Sequence, residues 1–87
     1  MKIQVLGTGC PNCKKTAEIM RQAAIKMGLA EGSDYLIEKV ETINDIMKFG
    51  IIMTPGVVID GKVISSGRVP NLSEATTMIT NRLTQEG

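Results

Sequence analysis

Between Lys2 and Met27 the apolar residues change their period once, and the change falls across Gly7-Thr8-Gly9-Cys10. Lys2 to Leu6 (KIQVL) is apolar at Ile3 and Val5, with Leu6 closing the run, which is the pattern of a strand ending at a glycine loop. From Pro11 onward Cys13, Ala17, Met20, Ala24 and Met27 recur at helical spacing, while Lys14, Lys15, Glu18, Arg21, Gln22 and Lys26 fall largely elsewhere. Pro11 suits a first helical turn because its missing N–H would have no partner there, and Gly28 can end the helix. A strand running directly into a helix and then into a second strand returns parallel to the first, so this junction excludes all-α and all-β folds.

The second strand is read at Tyr35-Leu-Ile-Glu-Lys-Val40, after a polar loop around Glu31-Gly-Ser-Asp34. Thr42 or Asn44 can cap a short helix ending near Gly50, with Ile43, Ile46 and Met47 turned inward. Ile51-Ile-Met-Thr-Pro55 leads to Gly56-Val-Val-Ile-Asp-Gly61 and Lys62-Val-Ile-Ser-Ser66, where Asp60-Gly61 between β-branched runs signals a hairpin. Pro70 and Asn71 or Ser73 precede a last helix over Glu74 to Leu83, with Ala75, Met78, Ile79, Arg82 and Leu83 setting its inner stripe and border. Met20, Met27, Met47 and Met78 all fall on expected inner faces, as gap-filling core residues. The order is β-α-β-α-β-β-α: an α/β fold with a four-stranded mixed sheet and helices on both faces, in one domain spanning 1–87.

The 87 residues leave room for one modest core and one site. Ten basic against nine acidic residues give no electrostatic reason to expect nucleic acid or an anionic membrane surface. Met1-Lys-Ile-Gln-Val-Leu6 lacks the features of a signal peptide, and no later run is long enough to span a bilayer, so a cytoplasmic protein is expected. In that reducing compartment a close cysteine pair is more often catalytic or metal-binding than a lasting staple. The absence of histidine removes Cys-His nucleophilic catalysis and most mixed Cys/His zinc sites.

Cys10-Pro-Asn-Cys13 therefore carries the chemistry, and its place at a helix start favours a thiolate. Unpaired backbone N–H groups and the positive end of the helix dipole stabilise an anion there, and Lys14 and Lys15 add positive charge. Cys10, in the exposed first position, is the expected nucleophile. Cys13, one turn later on the face of Ala17 and Met20, is the expected resolving thiol, which displaces a substrate from a mixed disulfide with Cys10. Two alternatives stand beside this reading: a metal-binding module in which the two thiolates hold Cu(I) or half of a zinc site, and a domain whose disulfide only senses redox state. Gly7-Thr-Gly9 is not a dinucleotide fingerprint, because the third glycine is missing. Arg68 is read either as a solvated cation or as a partner for an acidic substrate.

A β-strand, Cys10-Pro-Asn-Cys13 opening a helix, Thr54-Pro55 before a hairpin and Gly67 after its second strand together resemble the thioredoxin fold across essentially the whole chain. More narrowly, GTGCPNC, TPGVVIDGKV and SSGRVP look like the small thioredoxin- and glutaredoxin-like redox-active disulfide proteins of bacteria and archaea. The resemblance implies a thiol-disulfide oxidoreductase with no cofactor beyond its Cys10-Cys13 disulfide and no metal. It also implies a cis peptide at Thr54-Pro55 facing the cysteines, Thr54 offering its backbone to an extended substrate segment, and Gly67 lining the same groove. Pro11 and Asn12 join these as candidate substrate contacts. The expected partners are protein disulfides and an upstream thiol reductase, and the expected state is a monomer. The pattern departs from thioredoxins in having Gly9 rather than tryptophan before Cys10, and Gln4 where they carry a buried acid. It departs from glutaredoxins at Ser65-Ser-Gly-Arg-Val69, where they carry a glycine- and acid-rich glutathione-binding stretch. Copper-chaperone-like domains also place a CxxC before a helix, but their order is β-α-β-β-α-β.

Overall fold

A computed structural model describes residues 1–51 and 53–84; Ile52, within the expected approach to Pro55, lies outside the described residues. The elements follow in the order β1 (Lys2–Leu6), α1 (Pro11–Lys26), β2 (Leu36–Val40), α2 (Ile43–Lys48), β3 (Gly56–Ile59), β4 (Lys62–Ser66) and α3 (Leu72–Thr84). This is the expected order, and it is not that of the copper-chaperone-like domains. The sheet runs β2-β1-β3-β4. β1 pairs parallel with β2, Leu6 opposite Val40, and antiparallel with β3, Leu6 opposite Gly56.

Local chemistry sets each boundary. Gly28, at φ 80°, closes α1 in a Schellman arrangement: its N–H donates to the Ile25 carbonyl and that of Leu29 to the Ala24 carbonyl. At the hairpin Asp60 and Gly61 both take positive φ, 49° and 85°, matching the twist of a two-residue turn. Beyond it, the register shifts between Val57 and Val58, where Ser65 and Val63 are their respective partners. Asn71 and Glu74 form a reciprocal cap on α3: Glu74 N–H donates to Asn71 Oδ1 at 2.8 Å, and Asn71 N–H donates to Glu74 Oε1 at 3.0 Å.

Strand alternation divides the core between the two faces of the sheet. Ile3, Val57 and Ile59 pack with Met20, Ala23 and Ala24 of α1, Ala75 and Ile79 of α3, and Tyr35. Leu6, Val40 and Val58 pack on the other face with Ile46 of α2 and Ile51. Each fully buried aliphatic side chain stabilises the fold by about 1.5–3 kcal/mol relative to its exposure.

Three expectations about inner faces are corrected. In α2 only Ile46 is buried, whereas Ile43 and Met47 are 64% and 65% exposed. A helix of six residues presents little more than one position to the sheet, and Leu6, Val40, Ile51 and Val58 already fill the space beneath it. Of the methionines, Met20 is wholly buried and Met27 and Met78 pack at the core's edge, but Met47 faces outward. Leu83 is also exposed, because it lies in the last turn of α3, beyond the buried Ala75 and Ile79.

Candidate active site

Parallel pairing of β1 with β2 brings the chain out of the sheet at Gly7, whose N–H donates to the Val40 carbonyl at 2.9 Å. The loop then turns directly into α1, and Cys10 is the N-cap residue, with Pro11 following in the first turn. Cys10 and Cys13 are joined as a disulfide, with Cα atoms 5.1 Å apart. The Cys13 N–H is 3.0 Å from the Cys10 carbonyl and 3.3 Å from Cys10 Sγ, so an amide of the first turn points at the sulfur. Cys10 is partly exposed while Cys13 is 5% exposed. The sixteen residues of α1 place their dipole's positive end at Cys10, and no acidic side chain lies in its first turn to offset it.

The distant segment reaches this end of the sheet. Thr54-Pro55 is a cis peptide, with Thr54 exposed and Pro55 buried. Thr54 borders Gly7: a Cβ built on Gly7 would lie 3.8 Å from Thr54 Cβ and would collide with Cys13 Sγ. Gly67 is tied to the same loop by its N–H, which donates to the Pro55 carbonyl at 2.9 Å. Pro11 and Asn12 are exposed beside the cysteines.

Several neighbours were not legible in the sequence. Met53 lies over Gly67, its Cβ 3.4 Å from where a Gly67 Cβ would sit, so the groove edge expected at Gly67 is covered by a flexible thioether. Thr8, Ile43, Met47 and Thr54, with Ile46 and Ile51 beneath, line an apolar depression of about 320 Å³. On the other side, Val5, Gly7, Gly9, Cys13, Lys14, Lys39 and Glu41 surround a pocket of about 10 Å³. The signal for Lys39 and Glu41 is the β1–β2 register, which a strand assignment alone does not supply.

Two residues singled out in the sequence have partners here. Gln4 is buried, but its Nε2 donates to Glu38 Oε1 at 2.9 Å, so its side chain is committed to its neighbour on β2. Arg68 is exposed, and its guanidinium forks onto the Glu74 carboxylate.

A strand leading to an N-capping, partly exposed cysteine, a buried second cysteine one turn later, and a cis-proline loop at the same sheet end define a thiol-disulfide oxidoreductase. The chain belongs to the thioredoxin family: the model for the thioredoxin domain matches residues 1–80. It is similar to the thioredoxin of Methanothermobacter thermautotrophicus, 35% identical over 74 residues that cover 85% of this chain and 91% of the relative. It is also similar to the thioredoxin of Methanocaldococcus jannaschii, 35% identical over 72 residues, 83% of this chain and 78% of that protein. Among the described residues no three His, Cys, Asp or Glu side chains cluster as metal ligands, and no helix is long and apolar enough to cross a membrane.

Proposed function

We propose that Cys10 is the attacking thiol and Cys13 the resolving thiol in exchange with protein disulfides, and that Thr54-Pro55 receives the backbone of an extended substrate segment. Pro11, Asn12 and Gly67 flank that segment, Gly67 with Met53 above it. The asymmetry of the two sulfurs carries the reading. Cys10 Sγ is reachable and accepts the Cys13 N–H at 3.3 Å, an interaction that favours a thiolate, whereas Cys13 is buried where attack by an outside disulfide is hindered.

In reduction, Cys10 thiolate attacks one sulfur of the substrate disulfide, which breaks as the Cys10 mixed disulfide forms, and the released sulfur leaves as a thiolate that takes a proton. Cys13, deprotonated, then attacks Cys10 Sγ. The Cys10–substrate bond breaks, and the second substrate sulfur leaves. Two electrons have passed from the Cys10-Cys13 dithiol to the substrate. An upstream thiol reductase restores the dithiol, no dissociable cofactor or metal takes part, and the chain works as a single monomeric domain in the cytoplasm.

The test is trapping. Cys13→Ser is expected to accumulate mixed disulfides with protein partners through Cys10, and Cys10→Ser to accumulate none; trapping confined to Cys10→Ser would reverse the assignment. Reduced protein that holds stoichiometric metal and fails to reduce a model protein disulfide would replace this reading with the metal-binding one.

A further inference from the structure

Resolution requires the Cys13 thiol to lose its proton, and the residue at the place of a buried acid, Gln4, is a neutral amide already bonded to Glu38. The β1–β2 register offers a different acid. Opposite Ile3, Gln4, Val5 and Leu6 stand Ile37, Glu38, Lys39 and Val40. Ile37 packs against the core beneath α1, so Lys39 and, continuing the alternation past the strand end, Glu41 fall on that same face, while Glu38 falls on the other. Glu41 and Lys39 accordingly line the pocket of about 10 Å³ that also includes Cys13, Lys14, Val5, Gly7 and Gly9. Such a space holds at most about one water molecule.

Gly9 borders this acid. Glu41 Oε2 would lie 3.4 Å from a Cβ on Gly9, whose φ of 83° already disfavours any other residue. Glu18, Glu31, Glu38, Asp45, Asp60 and Glu74 are each paired with a lysine or arginine, but among the described residues Glu41 enters no ion pair.

We propose that Glu41 is the proton acceptor for Cys13 in the resolving step, taking the thiol proton across the pocket between them, with Lys39 and Lys14 as the cations facing the Cys13 thiolate that results. The step is conservative: the proton moves from Cys13 Sγ to the Glu41 carboxylate, the thiolate bonds Cys10 Sγ, and the substrate sulfur leaves with the electron pair of the broken bond. This rests on the assignment of Cys13 as resolving thiol.

The experiment mixes the reduced protein with a chromophoric diaryl disulfide, which leaves one aryl sulfur on Cys10 as a mixed disulfide and releases the other as a thiolate, and follows release of the Cys10-bound aryl thiol in one turnover between pH 6 and 10. Glu41→Gln is expected to release it on the order of 100-fold more slowly at pH 6–7. The two rates should converge towards the upper end of that range, as hydroxide takes the thiol proton without help from a carboxylate. Glu41→Asp should recover part of the rate, and Glu31→Gln, which removes an acid paired with Arg21 in the loop before β2, should leave it unchanged. Equal rates for Glu41→Gln and the parent throughout, or a deficit of the same size at every pH, would overturn the role of Glu41. A parent protein that never releases the aryl thiol would instead overturn the assignment of Cys13.

Discussion

Gly7 sits where β1 ends and the reactive loop begins, and its missing side chain is what lets Cys13 Sγ lie against the strand end. Any Cβ there meets the sulfur itself and the Cys13 Cβ, with Thr54 Cβ in contact at 3.8 Å. Gly7→Ala is therefore expected to destabilise the oxidised protein by about 1–3 kcal/mol, the usual cost of overpacking a closed site. Urea denaturation would read this as a lowered midpoint at unchanged slope. Cys10 and Cys13 were legible at this scale because a helix N-terminus is a local feature that sequence spacing reveals. Gly7 and Glu41 were not, because each matters only through a neighbour distant in the chain.

At the scale of elements, α3 shows how a short polar motif fixes a helix start. Asn71 and Glu74 satisfy each other's amides, and Asn71→Ala should cost about 1 kcal/mol, measurable as a fall in thermal or urea stability. The Arg68 guanidinium, followed by the Asn71 N–H, holds the Glu74 carboxyl down at about 2, below its ordinary 4.5. A carboxyl depressed on folding stabilises the native state above its unfolded pKa, and that contribution disappears as the pH falls through the folded value. The stability advantage of the parent over Glu74→Gln should thus be full at pH 7, shrink below about pH 4.5 and vanish near pH 2, and added salt should diminish it at neutral pH. Element positions followed closely from periodicity and turn residues: β1 and both hairpin strands lie where the pattern puts them. The inward direction expected of Ile43 and Met47 failed, since in so short a helix the apolar pattern cannot say which residue the sheet has room for.

Across the whole molecule, Asp60 joins three elements. From the hairpin turn its Oδ1 accepts the Lys2 N–H of β1 at 2.8 Å, and its Oδ2 accepts from Arg82 Nε of α3 at 2.6 Å. Asp60→Asn keeps a residue that tolerates positive φ but loses the charge-assisted bond, so a destabilisation of about 1–2 kcal/mol is expected in urea titrations at pH 7. The Lys2 N–H, ahead of Arg82, holds the Asp60 carboxyl below its usual range, so the difference between parent and variant should narrow as the pH falls below about 4.

By itself the sequence determined the element order, the place of the dithiol at a strand-to-helix junction, and the hairpin, because each is written in short-range periodicity, capping and turn chemistry. Tertiary structure alone decided what else lies about the site beyond the expected Thr54-Pro55: Lys39 and Glu41 around the pocket at Cys13, Met53 laid over Gly67, and Gln4 turned to Glu38. Those neighbours depend on strand order and register, where a shift of one residue exchanges the faces of a strand, and no local pattern in either partner specifies that shift.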